Sequence, residues 1–359
     1  MNQVTKPHHP ALKLLCQQLT ELAPELLESG AWVQQQLQLC GQAGVFRWFA
    51  DQSWGGLNWS ESELVEGYLA LASACMTTTF VITQRTAASR RIEFSQNDWV
   101  RDQYMPALTA GEIFATVGIS HLTTSRRHLA QPVLRATYQD DAFILNGYSP
   151  WVTGGAYAEV VVVGATLPDG EQILLVVPND LPGISHPQPP KLVALSASQT
   201  GEIHFDNVRV DEIFLLAGPH PQVMTIGSGG GTGGLQTSTL AVGLAKAATE
   251  YITAQSELRD DFVETASAMQ FEWQELRDEL WRAADESGDC SKEVIRTRAN
   301  SLALRSSQAA LAIAKGAGFL DSHPAGRWCR EALFFLVWSC PLAVTHANLC
   351  ELAGIDSGE

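Results

Sequence analysis

Trp151 and Thr153 stand two residues apart in the segment FILNGYSPWVTGGAYAEVVVV, residues 143–163, and put a flat indole beside a hydroxyl. Such a pair makes a wall for a planar heterocycle; an ordinary hairpin with a core tryptophan explains the same residues. A second polar group runs Ser120-His121-Leu122-Thr123-Thr124-Ser125. His121 titrates in a range that suits an acid or a base, and equally a hydrogen-bonded loop residue. Near the C-terminus, Ser339-Cys340 follows an apolar run. A serine with no activating base cannot take up a proton near neutral pH. Cys340 would need a basic neighbour to hold a thiolate, and the local sequence supplies none. The glycine run Gly227–Gly234 lacks the Gly-Lys-Ser/Thr ending of a phosphate loop and reads as a linker.

The elements that must position these groups follow from the periodicity. Asn146-Gly147 predicts a tight turn, so that Phe143–Leu145 and the strand bearing Trp151 form a hairpin. Residues 10–50 recur in leucine at helical spacing, and Ser60 with Glu63 forms a capping box opening one long helix to Thr83. Between about 113 and 215 the pattern turns to short β-rich runs: Phe114–Gly118, Pro132–Tyr138, Phe143–Leu145, Val160–Ala165, Gln172–Val177 and Glu202–Phe205. From about 235 the helical period returns in four long segments near 235–258, 264–284, 292–316 and 324–353. The fold predicted is an α+β multidomain chain. It has an N-terminal helical domain (1–112), a middle β-barrel or sandwich domain (113–222) and a C-terminal antiparallel four-helix bundle (223–359).

Composition narrows the partners. Lys plus Arg number 23 against 39 Asp plus Glu, a net charge of -16, which disfavours nucleic acid and anionic membrane. No apolar stretch is long enough to span a bilayer, and the N-terminus has no apolar signal core. Seven scattered cysteines without a C-x-x-C pair suggest reduced thiols in a cytoplasmic protein, with neither zinc site nor disulfide framework. No metal is expected.

The order of these segments resembles the acyl-CoA dehydrogenase superfamily. The strand around Trp151-Val-Thr153 is similar to the Trp-Ile-Thr-Asn run of that family, with Gly154 at the asparagine. The resemblance extends to Gly201–Val210 as the last strand of the middle domain and to Trp99–Glu112 as the helix before it. It implies that Trp151 packs against an isoalloxazine and that Thr153 hydrogen-bonds its polar edge. Ser120 or His121 would hold the flavin edge and Ser125 the neck of a substrate channel. Arg259 and Phe262 partly match an Arg-x-x-Phe-Gly motif whose arginine reaches FAD pyrophosphate across a subunit interface; an exposed helix arginine is the plainer alternative. Gly316 and Gly318 resemble a glycine turn at the dinucleotide, and an interhelical turn explains them as well. In the segment from Arg330, the family's proton-abstracting glutamate becomes Ser339.

The expected cofactor is therefore FAD, with FMN as second choice and loss of the flavin left open. The leading reading is a flavin-dependent oxidoreductase acting on the CH–CH bond of an acyl thioester or related small molecule. It would act as a homodimer or homotetramer, without its usual general base. A catalytically silent binding or assembly relative and a flavin-dependent monooxygenase on the same fold are the alternatives.

Overall fold

The computed structural model describes residues 3–123, 131–226, 234–287 and 291–355. The four valines 160–163 show how the middle of the chain is built. They lie in strand β4 (Val160–Thr166), between β1 (Ala115–Gly118, parallel) and β5 (Gln172–Pro178, antiparallel). Val161 and Val163 point into the core enclosed by the sheet, while Val160 and Val162 pack outward. A run apolar at every position is what a strand covered on both faces requires. The outward face is covered by α4 (Met76–Glu93) and α5 (Asp98–Ala110), through Ala88, Ile92, Val100, Met105 and Leu108.

The remaining strands are β2 (Leu134–Gln139), β3 (Ala142–Val152), β6 (Ile184–Ser185), β7 (Gly201–Asp211) and β8 (Leu215–His220). Together they form one eight-stranded sheet in the order β6-β7-β3-β2-β4-β5-β8, with β1 joined at β4. Two short strands, β6 and β8, have no signal in the sequence, because neither carries an apolar alternation of useful length.

The hairpin predicted at Asn146-Gly147 is not there. The chain turns at Asp140-Asp141, both with positive φ (50° and 55°), and β3 runs unbroken through Asn146 and Gly147. Short carboxamide and carboxylate side chains tolerate that left-handed turn. Gly147 instead marks a register shift against β7; its φ of +123° and the carbonyl of Val133, 2.1 Å from where a Cβ would lie, exclude any side chain.

The N-terminal helices are α1 (Pro10–Leu22), α2 (Gln34–Gln42) and α3 (Glu61–Ala74), and the short α6 (Ser120–Thr123) lies against β3 and β4. Ser60 caps α3 with the capping box the sequence announces. The helix expected to run on to Thr83 is broken at Cys75, whose extended backbone (φ -154°) turns the chain into α4. The bundle comprises α7 (Leu235–Ser256), α8 (Val263–Ala284) and α9 (Lys292–Ala314). Its expected fourth helix is two, α10 (Pro324–Ala332) and α11 (Leu342–Ala353), parted by a 3-10 turn and a loop ending at Pro341. One continuous apolar core joins α1 and α3 to α7, α8, α9 and α10.

Candidate active site

A cleft of about 940 Å³ opens between the sheet, α3, α4, the start of α7 and the loop after α10. Trp151 lies at the end of β3, where alternation turns its side chain out of the core. Its indole is 47% exposed and lines the cleft. Thr153 follows, 2% exposed, with its Oγ1 sharing a 2.9 Å hydrogen bond with Thr200 Oγ1. Ser198 Oγ continues that hydroxyl chain at 2.8 Å. Ser120 lines the same cleft, and its buried Oγ has no hydrogen-bond partner among the described residues. An orphaned hydroxyl facing a cavity is a group that a ligand would satisfy.

His121 does not join them. It is buried, with Nε2 2.8 Å from the carbonyl oxygen of Gly164, and it does not line the cleft. Burial holds its pKa below the ordinary histidine value, the bond to Gly164 opposing this only in part. The unfolded chain therefore takes up a proton first, at about pH 6.5, while the folded protein does not. Stability present above that pH should fall as the pH drops through the folded pKa. His121→Gln, which keeps a donor and loses the titration, is expected to flatten this slope; parallel melting curves of the two proteins from pH 7.5 to 5 would refute it. Ser125 lies outside the described residues, as do 227–233 of the glycine run.

Ser339 lines the cleft from the loop after α10, in a left-handed conformation (φ 48°) unusual for a side chain with a Cβ. Two side chains one turn apart on α9 hold that loop. Arg296 Nη2 donates to the Trp338 carbonyl at 2.9 Å, and Asn300 Nδ2 donates to the Phe335 carbonyl at 3.0 Å. Arg296 is 2% exposed. Its burial lowers its pKa to about 10, the neighbouring Cys340 acting in the opposite direction. The sequence shows nothing basic beside Cys340; the fold brings Arg296 there from another helix.

Arg259, Phe262, Gly316 and Gly318 belong to a different place. The Arg259 guanidinium lies 4.1 Å from the centre of the Phe262 ring and donates to the Ile313 carbonyl at 3.1 Å, beside the 3-10 turn Lys315–Phe319. A Cβ at Gly318 would lie 2.8 Å from Ala314 and Leu311, whereas Gly316 has open space around it. None of the four lines the cleft that contains Trp151.

Several lining residues carry no functional signal in the sequence. Phe80, Gln84, Ala87 and Arg91 recur at i, i+4, i+7 and i+11 on α4 and form one stripe along the cleft. Phe80, Phe334 and Trp338 close one end as an aromatic cluster, with centroids 4.9 to 5.1 Å apart. The ionic lining is Arg90, Arg91, Lys292 and Arg330 with the carboxylates Glu61 and Glu286. Arg90 pairs with Glu61 at 3.2 Å and Arg330 with Asp321 at 3.9 Å. Glu286 has a φ of 53° and no ion pair among the described residues.

Comparison with known proteins bears on the fold and on the middle of the chain. The family described as acyl-CoA dehydrogenase, middle domain, matches residues 124–208. The probable acyl-CoA dehydrogenase YngJ of Bacillus subtilis is 28% identical over 221 residues, covering 55% of this chain and 57% of that protein. The mitochondrial isovaleryl-CoA dehydrogenase of Pongo abelii is 22% identical over 323 residues, covering 82% and 75%. Among solved structures, an FAD-dependent dehydrogenase superposes with a TM-score of 0.78 at 19% identity, covering 96% of this chain and 98% of that one.

Proposed function

We propose, for a chain that belongs to the acyl-CoA dehydrogenase superfamily, a flavin-dependent oxidoreductase acting on the CH–CH bond of an acyl thioester or related small molecule. One observation carries this reading: the indole of Trp151 stands open in a large cleft beside the Thr153 hydroxyl and the unsatisfied hydroxyl of Ser120. These groups fit an isoalloxazine, which offers a flat face and a polar edge. FAD is the expected flavin and FMN the second choice. Bound there, it would supply the two-electron redox chemistry.

The chain's own residues would do the rest. Trp151 would set the plane of the ring, while Thr153, fixed through Thr200 and Ser198, and Ser120 would hold its edge. Phe80, Phe334 and Trp338 would keep water from the reacting carbons. Ser339 cannot take the proton from the α-carbon, and Glu61 is occupied by Arg90. That leaves Glu286 as the carboxylate in the described lining available to accept it. Glu286→Gln is expected to slow bleaching of the flavin by acyl-CoA at least about a hundredfold. An unchanged rate would remove it from the chemistry.

Arg259 would serve the dinucleotide of a neighbouring subunit, since it does not line its own chain's cleft. The bundle offers apolar surface for a homodimer or homotetramer: Leu342, Leu349 and Leu352 lie exposed along one side of α11. No helix among the described residues is long and apolar enough to cross a membrane; the scattered cysteines without a C-x-x-C pair are what favours a cytoplasmic setting.

Ser339 also favours a second reading, a silent relative kept for binding or assembly. An absorption spectrum of the purified protein, before and after adding FAD or FMN, decides between them. A colourless protein that binds neither flavin leaves only the silent relative. If flavin binds, bleaching by octanoyl-CoA or butyryl-CoA marks a dehydrogenase, and its absence with a reduced flavin that consumes oxygen marks a monooxygenase.

A further inference from the structure

The stripe on α4 changes character along its length. It begins at Phe80, against Phe334 and against Trp338, the residue before Ser339, passes Gln84 and Ala87, and ends at Arg91. The Arg91 side chain folds back one turn, its Nη1 donating to the Ala87 carbonyl at 2.9 Å. Its guanidinium therefore lies near the level of Ala87, seven residues or about 10 Å along the axis from Phe80. No carboxylate pairs with it among the described residues, although the chain carries 39 acidic residues. The neighbouring Arg90, by contrast, is ion-paired with Glu61 through its Nη2. Burial drives the Arg91 pKa down to about 10 with nothing offsetting it, a cost that an anion would relieve.

Building on the reading in the preceding subsection, we propose that Arg91 is an oxyanion anchor inside the cleft. It would receive the terminal carboxylate of an acyl group whose reacting carbons lie at the aromatic end, at the loop that carries Ser339. The substrate class is then an acyl thioester ending in a carboxylate, with an apolar chain spanning the distance between. A flavin phosphate is the other source of the same oxyanion chemistry. Either ligand would bind through charge-assisted hydrogen bonds from the fork of the guanidinium.

The test uses the full chain loaded with FAD. Adipyl-CoA and suberyl-CoA are titrated against hexanoyl-CoA and octanoyl-CoA, equal in carbon number, while the shift of the flavin band is followed. At one length or both, the dicarboxylic form should bind roughly ten- to hundredfold more tightly. Arg91→Gln should remove that advantage and Arg91→Lys should keep part of it, with the melting temperatures of both variants checked first. If Arg91→Gln instead weakens FAD but not riboflavin, the oxyanion is a flavin phosphate. Equal binding of both series, together with unchanged FAD affinity in Arg91→Gln, overturns the anchor. Should the protein bind no flavin, the reading beneath it fails separately, and calorimetry of the same four thioesters on the flavin-free chain still tests Arg91.

Discussion

Trp151→Ala is expected to weaken flavin binding about tenfold or more while leaving the unfolding transition where it is. The two halves of that result have different causes. The indole is 47% exposed, so its removal opens no cavity, and β3 is held by the buried Val152 on one side and by its pairing with β2 and β7. What is lost is a face against which a ring can stack, together with the apolar area buried on contact. Fluorescence titration with FAD measures the first half and a thermal melt the second. Unaltered affinity would take the strand out of the site. A collapsed melting temperature would show that the indole supports the fold in a way its exposure does not suggest.

The sequence is most informative where chemistry and periodicity coincide. The alternation of helices, short strands and helices is legible because each stretch has its own period, and the Ser60 capping box is visible as four residues. The doubly buried valines of β4 are legible for the same reason. Asn146-Gly147 misleads because glycine serves a bulge as well as a turn, and only the approach of the Val133 carbonyl tells the two apart. The lining of the candidate site is legible only in part. Trp151, Thr153, Ser120 and Ser339 line one cleft, but Glu286 and Arg91 reach it from elements far apart in the chain, and Arg296 acts from behind it on the loop that carries Ser339. What Glu286 and Arg91 are free to do depends on which charges are already paired, and that is a property of the folded protein. His121 shows the reverse case, a residue of suitable chemistry whose ring the fold turns onto the Gly164 carbonyl.

Gly154→Asn, which restores the residue the superfamily carries after its Trp-x-Thr, is expected to destabilise this protein by about 1–3 kcal/mol. Backbone conformation is not the obstacle, since φ is +62° and asparagine tolerates the left-handed region. Space is. A Cβ at this position would lie 2.4 Å from Trp32 and 2.9 Å from Phe114, aromatic rings packed edge to face, with Trp32 also stacked on Tyr157 at 4.5 Å. The backbone N–H of Gly154 is tied to the Ser198 carbonyl, on the segment that supplies the hydroxyls behind Thr153. Displacing residue 154 should therefore move Thr153 and Ser198 together and weaken flavin binding as well as the fold. A double-mutant cycle separates the causes: Trp32→Ala makes room, so that Gly154→Asn should cost far less in that background than in the wild type. Additive losses would mean that the two rings do not exclude the side chain, and the glycine would need another explanation.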